Sequence, residues 1–274
     1  MIEKSFSPEI IEDLVEEAKI SNEYQDLIGS AEIDLDGTKY TLSRLRPLIE
    51  SKDRETRIKA NEAYFGFFEK NMEKFDDIYD RLVHVRDRMA KKLGFENFVE
   101  LGYLRMSRSD YGPEEVAKYR EQIVKHVVPF ATELRKRQEK RLGLDHLYYY
   151  DEALNFNSGN ANPKGDPEWI IEKGKEMYKG LGPVTDEFFT IMTKYNLFDL
   201  LSHDGKMSGG YCTSLEEYKV PFIFANLNGT AGDVEVLTHE AGHALQMYLS
   251  RNQIHGPWAV RRSRDGLRCR SRLR

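Results

Sequence analysis

The sequence is poor in cysteine and has no long apolar run. Its two cysteines, Cys212 and Cys269, give 274 residues no disulfide framework, which favours a reducing compartment. No apolar stretch approaches the ~20 residues that cross a bilayer, and residues 1–6 lack the charged and then apolar pattern of a signal peptide. These absences argue against a secreted disulfide-rich protein and a membrane-spanning one, and they predict a cytoplasmic protein.

The composition is that of a folded chain. Hydrophobic residues make up 40% of the sequence and aromatic residues 11%, which is enough for a substantial core in one or two domains. The net charge is −5 and is more negative over most of the chain. This acidity argues against nucleic acid as the main ligand.

Most of the chain carries apolar residues at the three- and four-residue steps of amphipathic helices. Long helical runs are predicted at about residues 53–92 and 113–143. Residues 147–150 are strand-like, and residues 155–165 indicate a loop because they are rich in Asn and Gly. Residues 209–227 break the helical pattern and predict a β-hairpin or small sheet. The expected fold class is mostly α, a multi-helix fold with a small β element.

The most informative pattern is Thr-His-Glu-Ala-Gly-His-Ala at residues 238–244, which contains His-Glu-x-x-His. His239 and His243 are four residues apart, so on a helix they share a face and can bind one metal ion. Glu240 would point toward the water on that metal, which is the position of a general base. The pattern predicts metal-assisted hydrolysis of a peptide bond. The alternative is a helix whose histidines only cap the edge of a core.

The residues around this motif predict the helix that it requires, at about residues 231–252. Thr230 and Asp233 form a helix start signal after the turn at residues 226–229. An apolar stripe at helical spacing is expected to be buried. It consists of Val234, Leu237, Ala241, Ala244, Leu245 and Tyr248. The motif side chains lie beside this stripe, on a different face.

Three stretches carry a resemblance to a known family. They are residues 209–213 (Gly-Gly-Tyr-Cys-Thr), residues 221–234 (Pro-Phe-Ile-Phe-Ala-Asn-Leu-Asn-Gly-Thr-Ala-Gly-Asp-Val) and residues 237–246, which include the motif. Together they closely resemble the oligoendopeptidase F branch of the thimet-oligopeptidase-like zinc metallopeptidases. The resemblance covers residues 1–253, and it implies a mostly helical enzyme with a deep channel that cleaves short peptides and excludes folded proteins.

The resemblance also implies the roles of the motif residues. In that family the two motif histidines and a glutamate on a following helix hold zinc, and the motif glutamate activates the water. The two histidine ligands correspond here to His239 and His243, and the water-activating glutamate corresponds to Glu240. The third zinc ligand has no counterpart, because no glutamate follows Glu240 in this sequence. A site with two protein ligands holds zinc poorly, so we expect this chain to bind zinc weakly and to be a poor or inactive peptidase.

A short β segment before the motif helix suggests where a substrate would bind. In metallopeptidases of this kind an edge strand holds the peptide by main-chain hydrogen bonds, which makes Gly210, Tyr211 and Phe222 candidate substrate-binding residues. The alternative is a structural hairpin that only packs against the helix. The expected partner is an oligopeptide, with no membrane and no nucleic acid, and the sequence does not predict the oligomeric state. Four further histidines have no partners at ligand spacing and are expected to be surface or satisfied helix histidines rather than zinc ligands: His84, His126, His146 and His203.

The end of the chain differs from the rest. Residues 261–274 contain seven arginines, one aspartate and no lysine, a net charge of +6, so the preceding 260 residues carry −11. This segment is either a basic arm that binds an anionic surface or the altered end of a truncated gene, and we favour the second because it replaces half of an active site. We therefore predict a helical peptidase region at residues 1–253 and a disordered tail unrelated to the family at residues 254–274. The competing hypothesis for the whole chain is a non-catalytic helical remnant or a binding module with a basic tail.

Overall fold

A computed structural model describes residues 2–108 and 110–252, and these residues are mostly helical. The helices are α1 (Ile2–Ser5), α2 (Ile11–Gly29), α3 (Arg46–Ile49), α4 (Arg54–Lys70), α5 (Met72–Lys92), α6 (Phe98–Arg105), α7 (Pro113–Gln122), α8 (Val128–Leu142), α9 (Pro167–Leu181), α10 (Pro183–Lys194) and α11 (Gly232–Ser250). The strands are β1 (Ile33–Leu35), β2 (Thr38–Tyr40), β3 (Phe198–Leu201), β4 (Tyr211–Leu215) and β5 (Val220–Leu227). The predicted fold class, mostly α with a small β element, is confirmed. In the described part of the chain, no helix is both long and apolar enough to cross a membrane.

The chain forms two compact units. The first contains, of the described residues, 2–28, 65–108 and 110–157, and the second contains residues 29–64 and 158–252. Two hydrophobic clusters of the first unit form where α2 and the segment before it pack against α5 and α6. They are built around buried Ile10, Met89, Ala90 and Leu101, and around Ile20, Ile78 and Val85.

Acidic side chains of α2 are also buried in the first unit, and basic side chains neutralise them. Glu17 accepts hydrogen bonds from Arg86 Nε at 2.7 Å and from Arg105 Nη1 and Nη2 at 3.2 and 2.6 Å. Burial alone would raise the pKa of Glu17, but the hydrogen bonds and charges of Arg105 and Arg86 outweigh it and lower the pKa. The charged form of Glu17 therefore stabilises the packing of α2 on α5 and α6.

The second unit contains the sheet that precedes the motif helix. Its strand order is β3-β5-β4, with β4 antiparallel to β5 as predicted and β3 added in parallel on the other side. Alternate residues of β5 are buried, as expected of a strand with one face on a core. That core joins the sheet to α9, α10 and α11 and has large, fully buried side chains such as Phe188, Phe189, Met192 and Ile223.

Two sequence predictions about local structure are wrong. The run at residues 53–92 is two helices, because the main chain at Asn71 leaves the helical conformation, with φ of −107° and ψ of 13°; the Asn71 side-chain amide donates to the Phe67 carbonyl at this break. Residues 147–150 form no strand among the described elements. Tyr149–Asp151 is a 3-10 turn, closed by the buried Asp151, whose carboxylate accepts the N–H of Tyr148. The predicted disordered tail at residues 254–274 lies outside the described residues.

The Glu17 network generates a stability prediction. Glu17→Gln is expected to lower the free energy of unfolding by about 1–3 kcal/mol near neutral pH, since it weakens charge-assisted hydrogen bonds to two arginines. A carboxylate whose pKa is lowered by folding contributes stability above its unfolded pKa and loses it as the pH falls through the folded pKa. The difference between parent and variant should therefore shrink in acid.

Urea unfolding at several pH values measures both effects. Glu12→Gln is the matched control, because Glu12 lies on the exposed side of the same helix. Equal stabilities of the parent and Glu17→Gln near neutral pH would contradict the assigned role of this network.

Candidate active site

The turn between β5 and α11 fixes where the motif helix begins. The Asp233 carboxylate accepts the main-chain N–H groups of Asn228, at 3.0 and 3.1 Å, and of Gly229, at 2.7 Å. The hydroxyl of Thr230 donates to Asn228 Oδ1 at 2.9 Å. The helix start predicted at Thr230 and Asp233 agrees with the structure, and both residues stabilise it through the turn that precedes the helix rather than through a side-chain cap. The helix itself begins at Gly232.

The apolar stripe of α11 packs into the core of the second unit, largely as predicted. Four of its residues are buried, and Leu245 is half-buried; the four are Leu237, Ala241, Ala244 and Tyr248. Val234 is the exception and is 42% exposed. It lies in the first turn, before the point at which Leu237 comes close to Gly174 of α9. The packed part of the helix thus begins one turn later than the sequence predicts.

His239 and His243 lie side by side on α11. Their Nε2 atoms are 3.2 Å apart, and their rings are nearly perpendicular with centroids at 4.8 Å. Two nitrogens bound to one tetrahedral zinc ion at 2.0–2.1 Å are about 3.3 Å apart, so this pair fits two positions around such an ion. The same separation also suits a hydrogen bond between the rings without a metal. His239 is exposed and His243 half-buried, so the pair is open on one side.

A third protein ligand is not found beside the pair. Across residues 2–108 and 110–252, no group of three His, Cys, Asp or Glu side chains is arranged to hold a metal ion. The described residues therefore supply two ligands, which agrees with the absence of any glutamate after Glu240 in the sequence.

Glu240 differs sharply from its neighbour His239, because it is only 2% exposed. Its carboxylate accepts the main-chain N–H of Cys212 on β4, while its Oε2 atom is buried with no hydrogen-bond partner. Burial raises the pKa of Glu240, and the neighbouring His239 and the Cys212 N–H offset part of that rise. A buried acceptor without a partner is uncommon in proteins and is usually satisfied by water or a ligand.

The candidate substrate-binding residues lie in two places. A Cβ atom on Gly210 would be 3.3 Å from the Phe224 carbonyl, which is a tight contact, and 3.5 Å from Val236 on α11, so a larger residue here would crowd the Phe224 main chain. Tyr211 begins β4 and stacks on Phe224 with ring centroids at 5.0 Å. Phe222, on β5 opposite Thr213, packs against the hydrophobic core. Gly210 and Tyr211 thus lie at the end of β4 that is close to α11, whereas Phe222 packs against the hydrophobic core.

The sequence pattern did not reveal the role of Cys212. Every residue other than proline has a main-chain N–H, so the residue type does not indicate this donor. Its role is seen only in the structure, where β4 packs against α11. The four histidines predicted to lie outside the metal site, His84, His126, His146 and His203, are all exposed.

A helical chain with His-Glu-x-x-His on a helix backed by a small sheet has the arrangement of a metallopeptidase. The model of peptidase family M3 matches residues 47–265, and the chain belongs to that family. Its match ends inside the arginine-rich segment.

Solved structures and curated proteins agree with this assignment. PZ peptidase A, solved with an inhibitor, is 56% identical with a TM-score of 0.89, over 91% of this chain and 44% of that one. A protein named as an oligoendopeptidase F from Bacillus anthracis str. Ames is 54% identical with a TM-score of 0.88, over 91% of this chain and 46% of that one. The group B oligopeptidase PepB of Streptococcus agalactiae serotype III (strain NEM316) is 24% identical over 216 residues, which are 78% of this chain and 35% of its own length. The chain thus spans about a third of that curated relative and less than half of the solved chains.

The burial of Glu240 generates a prediction for the metal-free chain. In acid, Glu240 is protonated in both the folded and unfolded states, and its burial carries no charge penalty. Because folding raises its pKa, stability falls as the pH rises from the unfolded pKa toward the folded one. Glu240→Gln cannot ionise, so it should be more stable than the parent at alkaline pH, by on the order of 1 kcal/mol, and equal to it in acid.

Denaturant unfolding in the presence of a chelator measures this difference. Glu235→Gln, an exposed position on the same helix, is the control and should show no such pH-dependent gain. A parent that is the more stable of the two at alkaline pH would mean that the carboxylate is not buried as described.

Proposed function

We propose that this chain carries the metal-binding helix of a zinc-dependent endopeptidase that hydrolyses short oligopeptides. The observation that supports it most is the 3.2 Å separation of the His239 and His243 Nε2 atoms beside the buried Glu240. Membership of a peptidase family supports the reaction class. A location in the cytoplasm stays a prediction from the sequence.

In this proposal the two histidines hold zinc through their Nε2 atoms. Zinc, when bound, acts as a Lewis acid that polarises the attacking water and the scissile carbonyl. A zinc site of a peptidase ordinarily has three protein ligands, and the described residues offer two. The chain as given is therefore expected to bind zinc weakly.

Glu240 acts as the general base. Its carboxylate takes a proton from the attacking water and later passes the proton to the leaving amine. The buried setting suits this role, because the pKa of a base is best raised toward the working pH. The N–H of Cys212 holds one carboxylate oxygen, so the oxygen without a partner, Oε2, is free to accept a proton.

The substrate is proposed to be an extended oligopeptide along β4. This strand is an edge of the three-stranded sheet, with β5 as its neighbour on one side. An extended peptide can pair with such an edge through main-chain hydrogen bonds, which are independent of side-chain sequence. Gly210 and Tyr211 would line this position. Phe222 would contribute only indirectly, by packing the sheet. The names of the relatives, oligopeptidase and oligoendopeptidase, support short peptides as the substrate class.

Zinc titration tests the ligand assignment with the chain as it stands. At excess zinc the parent should bind one ion at this site and lose it on dialysis against a mild chelator, as expected of two imidazole ligands. His239→Ala and His243→Ala should each abolish that binding without unfolding the chain, because both side chains lie off the packed face of α11.

His203→Ala is the matched control, since His203 is exposed in the same unit and hydrogen-bonds the Asp204 carbonyl. Unchanged binding in His239→Ala would disprove the assignment. Retention of one zinc ion per parent chain after dialysis would show that residues outside the described part supply another ligand.

The catalytic role of Glu240 requires a form with a complete site. Residues 1–252 continued by the remaining sequence of the 56%-identical relative would provide one. In that chain Glu240→Gln should retain zinc and lose peptide hydrolysis by a factor of about 10² or more, because the amide cannot take the proton. Glu235→Gln should keep full activity. Near-parental turnover in Glu240→Gln would assign the base to another residue, and an inactive parent would favour the non-catalytic alternative.

A further inference from the structure

The loop between β3 and β4 is tied to the sheet by one side-chain amide. Asn226 Nδ2 donates to the main-chain carbonyls of Met207 and Gly209, each at 2.8 Å. Continuing the β4–β5 register, in which Tyr211 lies opposite Phe224, places Asn226 opposite Gly209. The main-chain pairing of β4 with β5 ends at Tyr211, and beyond that point the side chain of Asn226 supplies the hydrogen bonds that connect the two segments.

The orientation of this amide is fixed. A flipped amide would bring Oδ1 against two carbonyl oxygens, so Nδ2 must face them. This orientation leaves the other amide atom, Asn226 Oδ1, buried with no hydrogen-bond partner, which is unfavourable. The free energy lost by that unpaired acceptor is offset by the two bonds that hold the loop.

The segment held in this way leads directly to the anchor of Glu240. Gly209 has φ of 102°, a left-handed conformation that favours glycine, and three residues later the Cys212 N–H donates to the Glu240 carboxylate. Cys212 is fully buried, with its sulfur 3.6 Å from Met247 Sδ on α11. An edge strand frays from its end when nothing holds it, and fraying at Tyr211 would carry the Cys212 N–H away from Glu240.

We propose that Asn226 is a positioning residue for Glu240: it clamps the loop before β4 so that the Cys212 N–H stays on the carboxylate. The proposal rests on the proposed function for its significance, since the group positioned is the general base. The hydrogen bonds themselves exist with or without catalysis. Their test therefore requires neither zinc nor turnover.

Selective labelling with ¹⁵N-cysteine gives a direct reporter. The chain has two cysteines, so the labelled protein shows at most two amide signals, and Cys269→Ser leaves that of Cys212. Glu240→Gln should move the Cys212 signal, because the charged acceptor is gone. Asn226→Leu keeps a similar shape but has no donor, and it should move the Cys212 signal in the same direction and speed its hydrogen exchange about tenfold or more.

Asn157→Asp is the matched control, because Asn157 also donates its amide to a main-chain carbonyl, that of Arg141, but in the first unit. It should leave the Cys212 signal unchanged. Asn226→Ser, a smaller change, is the second variant in case Asn226→Leu fails to fold, with circular dichroism as the measure of folding.

Three results would overturn the proposal. A Cys212 signal indifferent to Glu240→Gln would mean that the anchor does not exist. A signal that responds to Glu240→Gln but not to either Asn226 variant would mean that Asn226 does not hold it. Unfolding of both Asn226 variants would make Asn226 a residue of general stability. None of these results depends on whether the chain binds zinc or cleaves peptides, so they leave the proposed function to its own tests.

Discussion

The rotation of α11 about its own axis keeps two neighbouring residues in opposite surroundings, one exposed to solvent and the other buried. His239, a proposed metal ligand, is exposed, whereas Glu240, the next residue, is packed against the sheet. Successive residues of an α-helix differ by about 100° around its axis, so both conditions can be met if the helix is held at one rotation. The stripe from Leu237 to Tyr248 sets that rotation by packing into the core.

The sheet then determines what Glu240 contacts. A buried carboxylate is costly unless it is hydrogen-bonded, and β4 supplies one donor, the N–H of Cys212. The other oxygen is left without a partner in the described residues. Glu17, a buried acid of the first unit, has the opposite surroundings, because both of its carboxylate oxygens accept hydrogen bonds from arginines. Both oxygens of Glu17 have hydrogen-bond partners, and its pKa is lowered. Only one oxygen of Glu240 has a partner, and its pKa is raised. This contrast separates a structural carboxylate from a candidate base.

The sequence predicts those parts of the structure that repeat or that follow a local rule. Helical spacing predicted most of the helices, and the break in that spacing at residues 209–227 predicted the hairpin that leads into α11. What it missed depends on the main chain at one residue or on the pairing of strands that are not consecutive. The break between α4 and α5 lies at Asn71 alone, and β3 pairs in parallel with β5 although β4 lies between them in sequence. The roles of Cys212 and Asn226 involve main-chain groups of other elements, which residue types alone do not indicate.

The central claim is that His239 and His243 share one metal ion. Diffraction at the zinc absorption edge, from crystals grown with excess zinc, would locate that ion directly. The account predicts one anomalous peak about 2.0–2.1 Å from the Nε2 atoms of both histidines. A peak bound to only one of the two imidazoles, or zinc found solely elsewhere on the chain, would contradict it.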